Sequence, residues 1–122
     1  MGAVILVVDD ETDAADLLGM ILSMHFPEAS VCVAYGGKSA LDLAGSQLPQ
    51  VAVLDLEMPG LDGEELARTL RSTFANDPPL MIALSGNVNR LSTLEDTGVF
   101  DHRLSKPTNV ETLVRFIAQR LA

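Results

Sequence analysis

Short unbroken apolar runs alternate along this chain with longer stretches in which apolar residues return every three or four positions. Val4-Ile5-Leu6-Val7-Val8, Ser30 to Ala34, Val51 to Leu54 and Leu80 to Leu84 are runs of strand length, and a last strand of about four residues, His102 to Ser105, is expected before Lys106-Pro107. Continuous apolar runs bounded by turn residues predict strands buried on both faces of a sheet. Helical spacing fills the intervals. From Ala14 to about His25 the stripe is Leu17, Leu18, Ile21, Leu22 and Met24, and Phe26-Pro27 ends it. Lys38 to about Ser46 carries Ala40, Leu41 and Ala44 inward. A third helix starts near Gly63, where Asp62 precedes Glu65 at capping-box spacing, and runs to about Phe74. A fourth is expected from about Val88 to Asp96, on Val88, Leu91 and Leu94. The last, opened by a capping box of Thr108 and Glu111, shows Val110, Leu113, Val114, Ile117 and Leu121 on one face.

Five strands alternating with five helices predict an α/β fold with a parallel sheet covered on both faces by right-handed crossovers. Within that class the expectation is a flavodoxin-like (βα)5 arrangement of strand order 2-1-3-4-5. Residues 1–122 form one domain, without repeats, low-complexity tracts or a linker.

Charge narrows the class of partner. Acidic residues number 17 against 8 basic ones, for a net charge of -9. That balance disfavours direct nucleic-acid binding and anionic membranes, and suits a bound cation or a partner with a basic face. Cys32 lies inside the run Val31 to Ala34 and is expected to be a buried, inert thiol. The methionines, Met58 and Met81 among them, are expected to fill the core. The opening run Ala3 to Val8 ends in Asp9-Asp10-Glu11 and is too short for a signal peptide or a membrane span. Met1-Gly2 lacks the hydroxyl residue of a myristoylation signal. A cytoplasmic location is the expectation.

The chemistry gathers at the carboxyl ends of the strands, where open parallel sheets place their ligands. Asp9 and Asp10 follow strand one, Asp55 ends strand three before Met58-Pro59-Gly60, Ser85 ends strand four, and Lys106 ends strand five. Each has an ordinary alternative: Asp9, Asp10 and Ser85 as helix caps, Lys106 as a surface lysine. Together they are harder to explain that way. Close carboxylate pairs repel by about 4 kcal/mol at an effective dielectric near 20, so cations must offset them. Lys106 supplies one charge. A hard divalent ion supplies the rest, and Mg²⁺ suits few carboxylates and several retained waters better than Ca²⁺. Zinc is disfavoured, because His25, His102 and Cys32 lack ligand spacing.

The set Val8-Asp9-Asp10-Glu11, Leu54-Asp55-Leu56-Glu57-Met58-Pro59-Gly60-Leu61-Asp62-Gly63, Ala83-Leu84-Ser85-Gly86 and Lys106-Pro107 resembles the receiver domain of bacterial two-component response regulators, over essentially the whole chain. Gly98 to Pro107 looks most like receivers attached to hybrid sensor kinases. The resemblance implies that Asp55 accepts a phosphoryl group from a phosphohistidine of a sensor kinase or phosphotransfer protein. It implies Mg²⁺ (or Mn²⁺) on Asp10, Asp55 and the backbone carbonyl of Glu57, with Asp9 acting through water. Ser85 and Lys106 would contact phosphoryl oxygens. Glu57 and Asn87 would tune the lifetime of the modified state. The chain is expected to be a stand-alone receiver or one cut from a larger protein.

One position departs from the family. Receivers usually carry Tyr, Phe or His three residues before the lysine, and Arg103 stands there. An unpaired buried guanidinium is costly, so Arg103 is expected to stay outward, pairing with Glu95 or Asp96. Three rival classes fit the residues less well. A magnesium phosphatase of the haloacid-dehalogenase type wants an aspartate two residues after the nucleophile, where this chain has Glu57. A flavin mononucleotide binder wants a phosphate loop after strand one, where three acids stand. A receiver-shaped module that is never phosphorylated would not need every site residue.

Overall fold

The computed structural model describes residues 2–87, 89–91 and 98–122. β1 (Val4–Val8), β2 (Ser30–Ala34), β3 (Val51–Asp55), β4 (Leu80–Ser85) and β5 (His102–Ser105) form one sheet, ordered β2-β1-β3-β4-β5. All pairings are parallel. The expected strand order and fold class are those observed. Val8 pairs with Leu54, Asp55 with Leu84, and Ser85 with Ser105, so the strands finish nearly level. That common finish line is what brings residues distant in sequence to one edge.

Alternation along each strand divides the core. Leu6, Val8, Ala52, Leu54, Met81 and Ala83 face α2 (Gly37–Ser46) and α3 (Gly63–Thr73), meeting Ala40, Ala44, Leu66 and Leu70. Ile5, Val7, Val51, Val53, Ile82 and Leu84 meet Leu22 of α1 (Thr12–His25) and Leu113 and Ile117 of the C-terminal helix (Val110–Leu121). Every residue of β3 is buried. Burying a Leu or Ile side chain stabilises by about 1.5–3 kcal/mol, so this doubly covered strand is the firmest mount the fold offers.

Several sequence expectations need correction. α1 begins at Thr12, two residues early, because the Glu11 carboxylate accepts the backbone N–H of Ala14 at 2.7 Å and of Asp13 at 3.3 Å. Leu17, Met20 and Met24 are more than half exposed, so neither the whole apolar stripe nor every methionine belongs to the core. The buried face of α1 is instead Ala15, Gly19 and Leu22. A Cβ on Gly19 would lie 2.7 Å from Val33 Cγ2, and small residues let this helix approach β2 closely. Cys32 is half-buried, packed at the margin of the α2–α3 core. The C-terminal helix is capped by Asn109, whose side chain accepts the Thr112 N–H at 3.0 Å, and not by Thr108. Residues 89–91 are helical, while most of the fourth helix expected from Val88 to Asp96 lies outside the described residues.

Candidate functional site

Asp9, Asp10 and Asp55 converge at the carboxyl edge of β1 and β3. One carboxylate oxygen from each lies within 4.8 Å of the others. Asp55 is 2% exposed and Asp9 7%, whereas Asp10 is open to solvent. The capping role open to Asp9 and Asp10 is taken by Glu11. Asp9 Oδ1 accepts the Glu11 N–H at 3.0 Å, which fixes the turn leaving β1. Asp55 Oδ1 likewise accepts the Glu57 N–H at 3.2 Å, anchoring the turn leaving β3.

Lys106 enters from the end of β5. Its Nζ lies 3.1 Å from Asp55 Oδ1 and 3.4 Å from Asp9 Oδ2. Its backbone N–H donates to the Ser85 carbonyl at 2.9 Å, extending the sheet by one bond and holding the lysine level with the site. Burial pushes the Asp55 carboxyl up to about 6, with the Asp9 charge adding to the rise and Lys106 opposing it. Burial pulls the Lys106 ammonium down, but its hydrogen bonds and charge pairing with Asp55 and Asp9 more than reverse this, leaving it raised. One ammonium against three carboxylates leaves excess negative charge among hard oxygen donors. That donor set fits Mg²⁺ or Mn²⁺.

Close packing shapes the floor. A Cβ on Gly63 would stand 2.3 Å from the Asp55 carbonyl oxygen and 2.9 Å from Leu56 Cα, so only glycine lets α3 start against the end of β3. Gly60 adopts a left-handed φ of +72° in the intervening loop, a conformation that costs a residue with Cβ.

Ser85 is fully buried, one position beyond the residue paired with Asp55. Its hydroxyl is directed elsewhere. Oγ lies 2.7 and 2.9 Å from the two carboxylate oxygens of Glu57, and accepts the Asn87 N–H at 2.9 Å. Glu57 Oε1 also accepts the Gly86 N–H at 3.1 Å. Asn87 caps the helical turn that follows, its Oδ1 accepting the Arg90 N–H at 3.1 Å. Arg103 is half-buried on β5, paired in register with Ala83, and its expected partners Glu95 and Asp96 lie outside the described residues.

Sequence reasoning missed Arg90. Its guanidinium reaches the Leu56 carbonyl and the carboxylates of Glu57, Asp62 and Glu64, at 3.0 to 4.0 Å. The available signal was an arginine three residues after the Asn87 cap, which carries no partner information by itself.

The model of the response regulator receiver domain matches residues 5–118. The chain is similar to response regulator MprA of Mycolicibacterium vanbaalenii, 41% identical over 110 residues that cover 90% of this chain and 46% of that protein. It is also similar to response regulator MprA of Mycobacterium bovis BCG, 40% identical over 93% of this chain and 48% of that protein. The chain spans about half the length of these curated relatives. Among solved structures, it superposes on the signal receiver domain of a DNA-binding response regulator from Colwellia psychrerythraea with TM-score 0.85, at 32% identity over 96% of each chain. Response regulator TrrA of Thermotoga maritima, solved in complex with Mg²⁺ and BeF, gives TM-score 0.83 at 28% identity, over 98% of this chain and 99% of that one.

Proposed function

The chain belongs to the response regulator receiver domain family of two-component systems, and on that premise we propose that Asp55 is its phosphoacceptor. The observation carrying this reading is the buried Asp55 carboxylate, 3.1 Å from Lys106 Nζ and within 4.8 Å of oxygens from Asp9 and Asp10. An Asp55 oxygen attacks phosphorus, the bond from phosphorus to the donor imidazole nitrogen breaks, and that nitrogen keeps the electron pair and takes up a proton. Such transfer asks the protein for in-line positioning and neutralised phosphoryl oxygens, and little else.

Asp10 and Asp55 would hold Mg²⁺ (or Mn²⁺) directly, Asp9 through water, and the Glu57 backbone carbonyl would complete the protein ligands. When bound, the ion supplies neutralisation of phosphoryl charge. Lys106 pairs with one phosphoryl oxygen. Ser85 reaches another after giving up Glu57, and Asn87 holds the backbone from which Ser85 moves. The phosphorylated side chain approaches two negative charges, and this increase is what the two residues read.

The donor in this reading is a phosphohistidine of a sensor kinase or phosphotransfer protein, met in the cytoplasm. Among the described residues no helix is long and apolar enough to cross a membrane. The phosphatase alternative gains nothing from Glu57, whose carboxylate is engaged by Ser85 and Gly86. Acetyl phosphate with Mg²⁺ should add one phosphoryl group, seen by intact mass, and Asp55→Ala should not gain it. Undiminished labelling of Asp55→Ala would remove Asp55 from the central role.

A further inference from the structure

Arg90 lies outside every motif that carried the functional reading, yet it joins the two halves of the site. Nη1 donates to the Leu56 carbonyl at 3.0 Å and reaches Glu57 Oε2 at 3.4 Å. Nη2 donates to Asp62 Oδ2 at 3.0 Å and lies 4.0 Å from Glu64 Oε1. Leu56, Glu57 and Asp62 all belong to the loop that leaves Asp55, whereas Arg90 belongs to the segment that leaves Ser85. The planar fork of a guanidinium serves a carbonyl and two carboxylates at once, which an ammonium cannot do. The arginine side chain is 26% exposed and that of Glu57 43%, so the pair is open enough for salt to screen it.

Glu57 is held from the other side as well. It takes the Ser85 hydroxyl and the Gly86 N–H, so its carboxylate is clamped between the end of β4 and Arg90. Glu57 stands two residues beyond Asp55, its N–H donating to Asp55 Oδ1 at 3.2 Å, and its carboxylate holds the hydroxyl of Ser85, one position beyond the residue paired with Asp55.

We infer that Arg90 is a positioning residue for phosphoryl acceptance, acting through Glu57. It fixes the Glu57 carboxylate against Ser85 and Gly86 and offsets its charge, so that the anionic phosphoryl group of a phosphoramidate or acyl phosphate donor can reach Asp55. Without Arg90, Glu57 repels the donor. Without Glu57, Arg90 keeps Asp62 and Glu64 but has no carboxylate beside Ser85 to offset, and Ser85 is released from its resting partner. The inference rests on the phosphoacceptor reading of Asp55.

Initial rates of labelling by acetyl phosphate test it, measured by intact mass. In that reaction the acyl oxygen–phosphorus bond breaks, acetate leaves with the electron pair, and an Asp55 oxygen–phosphorus bond forms. Arg90→Ala should slow labelling about three- to ten-fold, and the deficit should shrink as salt screens the Glu57 charge. Glu57→Ala should label faster than wild type. Adding Arg90→Ala to Glu57→Ala should change the rate by less than about two-fold, the non-additivity of residues that act as one unit. Arg90→Lys should recover part of the loss, since it restores charge without the fork. Amide spectra of the metal-free variants provide the folding control. The Gly86 and Asn87 resonances should move in Arg90→Ala and Glu57→Ala alike, with those of β1 and β3 unchanged. Equal slowing of both backgrounds, or no slowing by Arg90→Ala, would overturn the inference while leaving Asp55 as acceptor. A wild-type protein that takes no label would overturn both.

Discussion

The Nζ of Lys106 lies 3.1 Å from Oδ1 of Asp55, across 51 residues of chain, and the same nitrogen reaches Asp9 across 97. A single ammonium thus bridges two carboxylates whose side chains are 3% and 10% exposed.

Removing that bridge should be costly. Lys106→Met leaves Asp9 and Asp55 facing each other with little solvent to screen them, and metal-free stability should fall by about 1–3 kcal/mol. Because Lys106 itself is 35% exposed, the lower half of that range is expected. Added Mg²⁺ should raise the Tm of the variant more than that of the wild type, since ligand binding to the native state then relieves a larger repulsion. Thermal melts in chelator and in Mg²⁺ decide this; equal increments would contradict it.

Asp55 should make metal-free stability depend on pH in an unusual direction. Burial, helped by Asp9, raises its folded value from 3.8 to about 6. Between those values the native state holds the proton more tightly than the unfolded chain, so this contribution is present at low pH and lost as pH rises through 6. Asp55→Asn should remove that dependence and stabilise the metal-free protein at neutral pH by about 1–3 kcal/mol. Urea midpoints at pH values on either side of the window, in chelator, provide the check. A constant difference between variant and wild type would refute the assignment.

Gly63 gives a steric prediction. Its added Cβ would meet only backbone at 2.3 to 2.9 Å, and backbone cannot rotate away. Gly63→Ala should lose about 2 kcal/mol or more and slow labelling of Asp55, because relief requires moving the end of β3. Gly45→Ala is the control: a Cβ there meets nothing within 4 Å, so the helix propensity of alanine should leave stability equal or slightly higher. Similar losses in both would show that the site floor tolerates displacement.

Arg103 replaces the aromatic residue that receivers usually carry at this point of β5. On the expectation that its guanidinium stays outward, the β5 face should be little changed between resting and activated protein. Amide shifts for residues 98–105, with and without beryllofluoride, should therefore be small. Large shifts across that face, abolished by Arg103→Ala, would show the guanidinium swinging toward the phosphoryl group instead.

β1, β3 and β4 were legible because each is a short apolar run that matches burial on both faces, and β3 is buried throughout. Asp9, Asp10, Asp55 and Lys106 were legible because parallel strands ending level must bring such residues together. α1 misled because a search for large apolar residues overlooks contacts made by small ones. Gly19 and Ala15 settle against the sheet, which turns Leu17 and Met24 toward solvent. The caps shifted by one or two residues for a similar reason, since Glu11 and Asn109 compete with neighbours of equal capping chemistry. The Ser85–Glu57–Arg90 contacts were invisible beforehand. They depend on which way three side chains turn after two separate strands end, and no spacing along the chain encodes that.

The interior position of β1, between β2 and β3, carries a consequence for the order in which competence appears during folding. Nothing local can assemble this site: its acids come from the first and third strands, and its lysine follows the last. A chain emerging from the ribosome can pair β1 with β2 and β3 and cover them with helices while still lacking its cation. Until β5 docks beside β4, the Asp9 and Asp55 carboxylates have no Lys106 between them. Long-range pairing of this kind is slow to form, because the loop-closure entropy must be met first. On the proposed role of Asp55, a chain whose last strand has not docked would therefore hold its acceptor without the cation meant to greet the phosphoryl group.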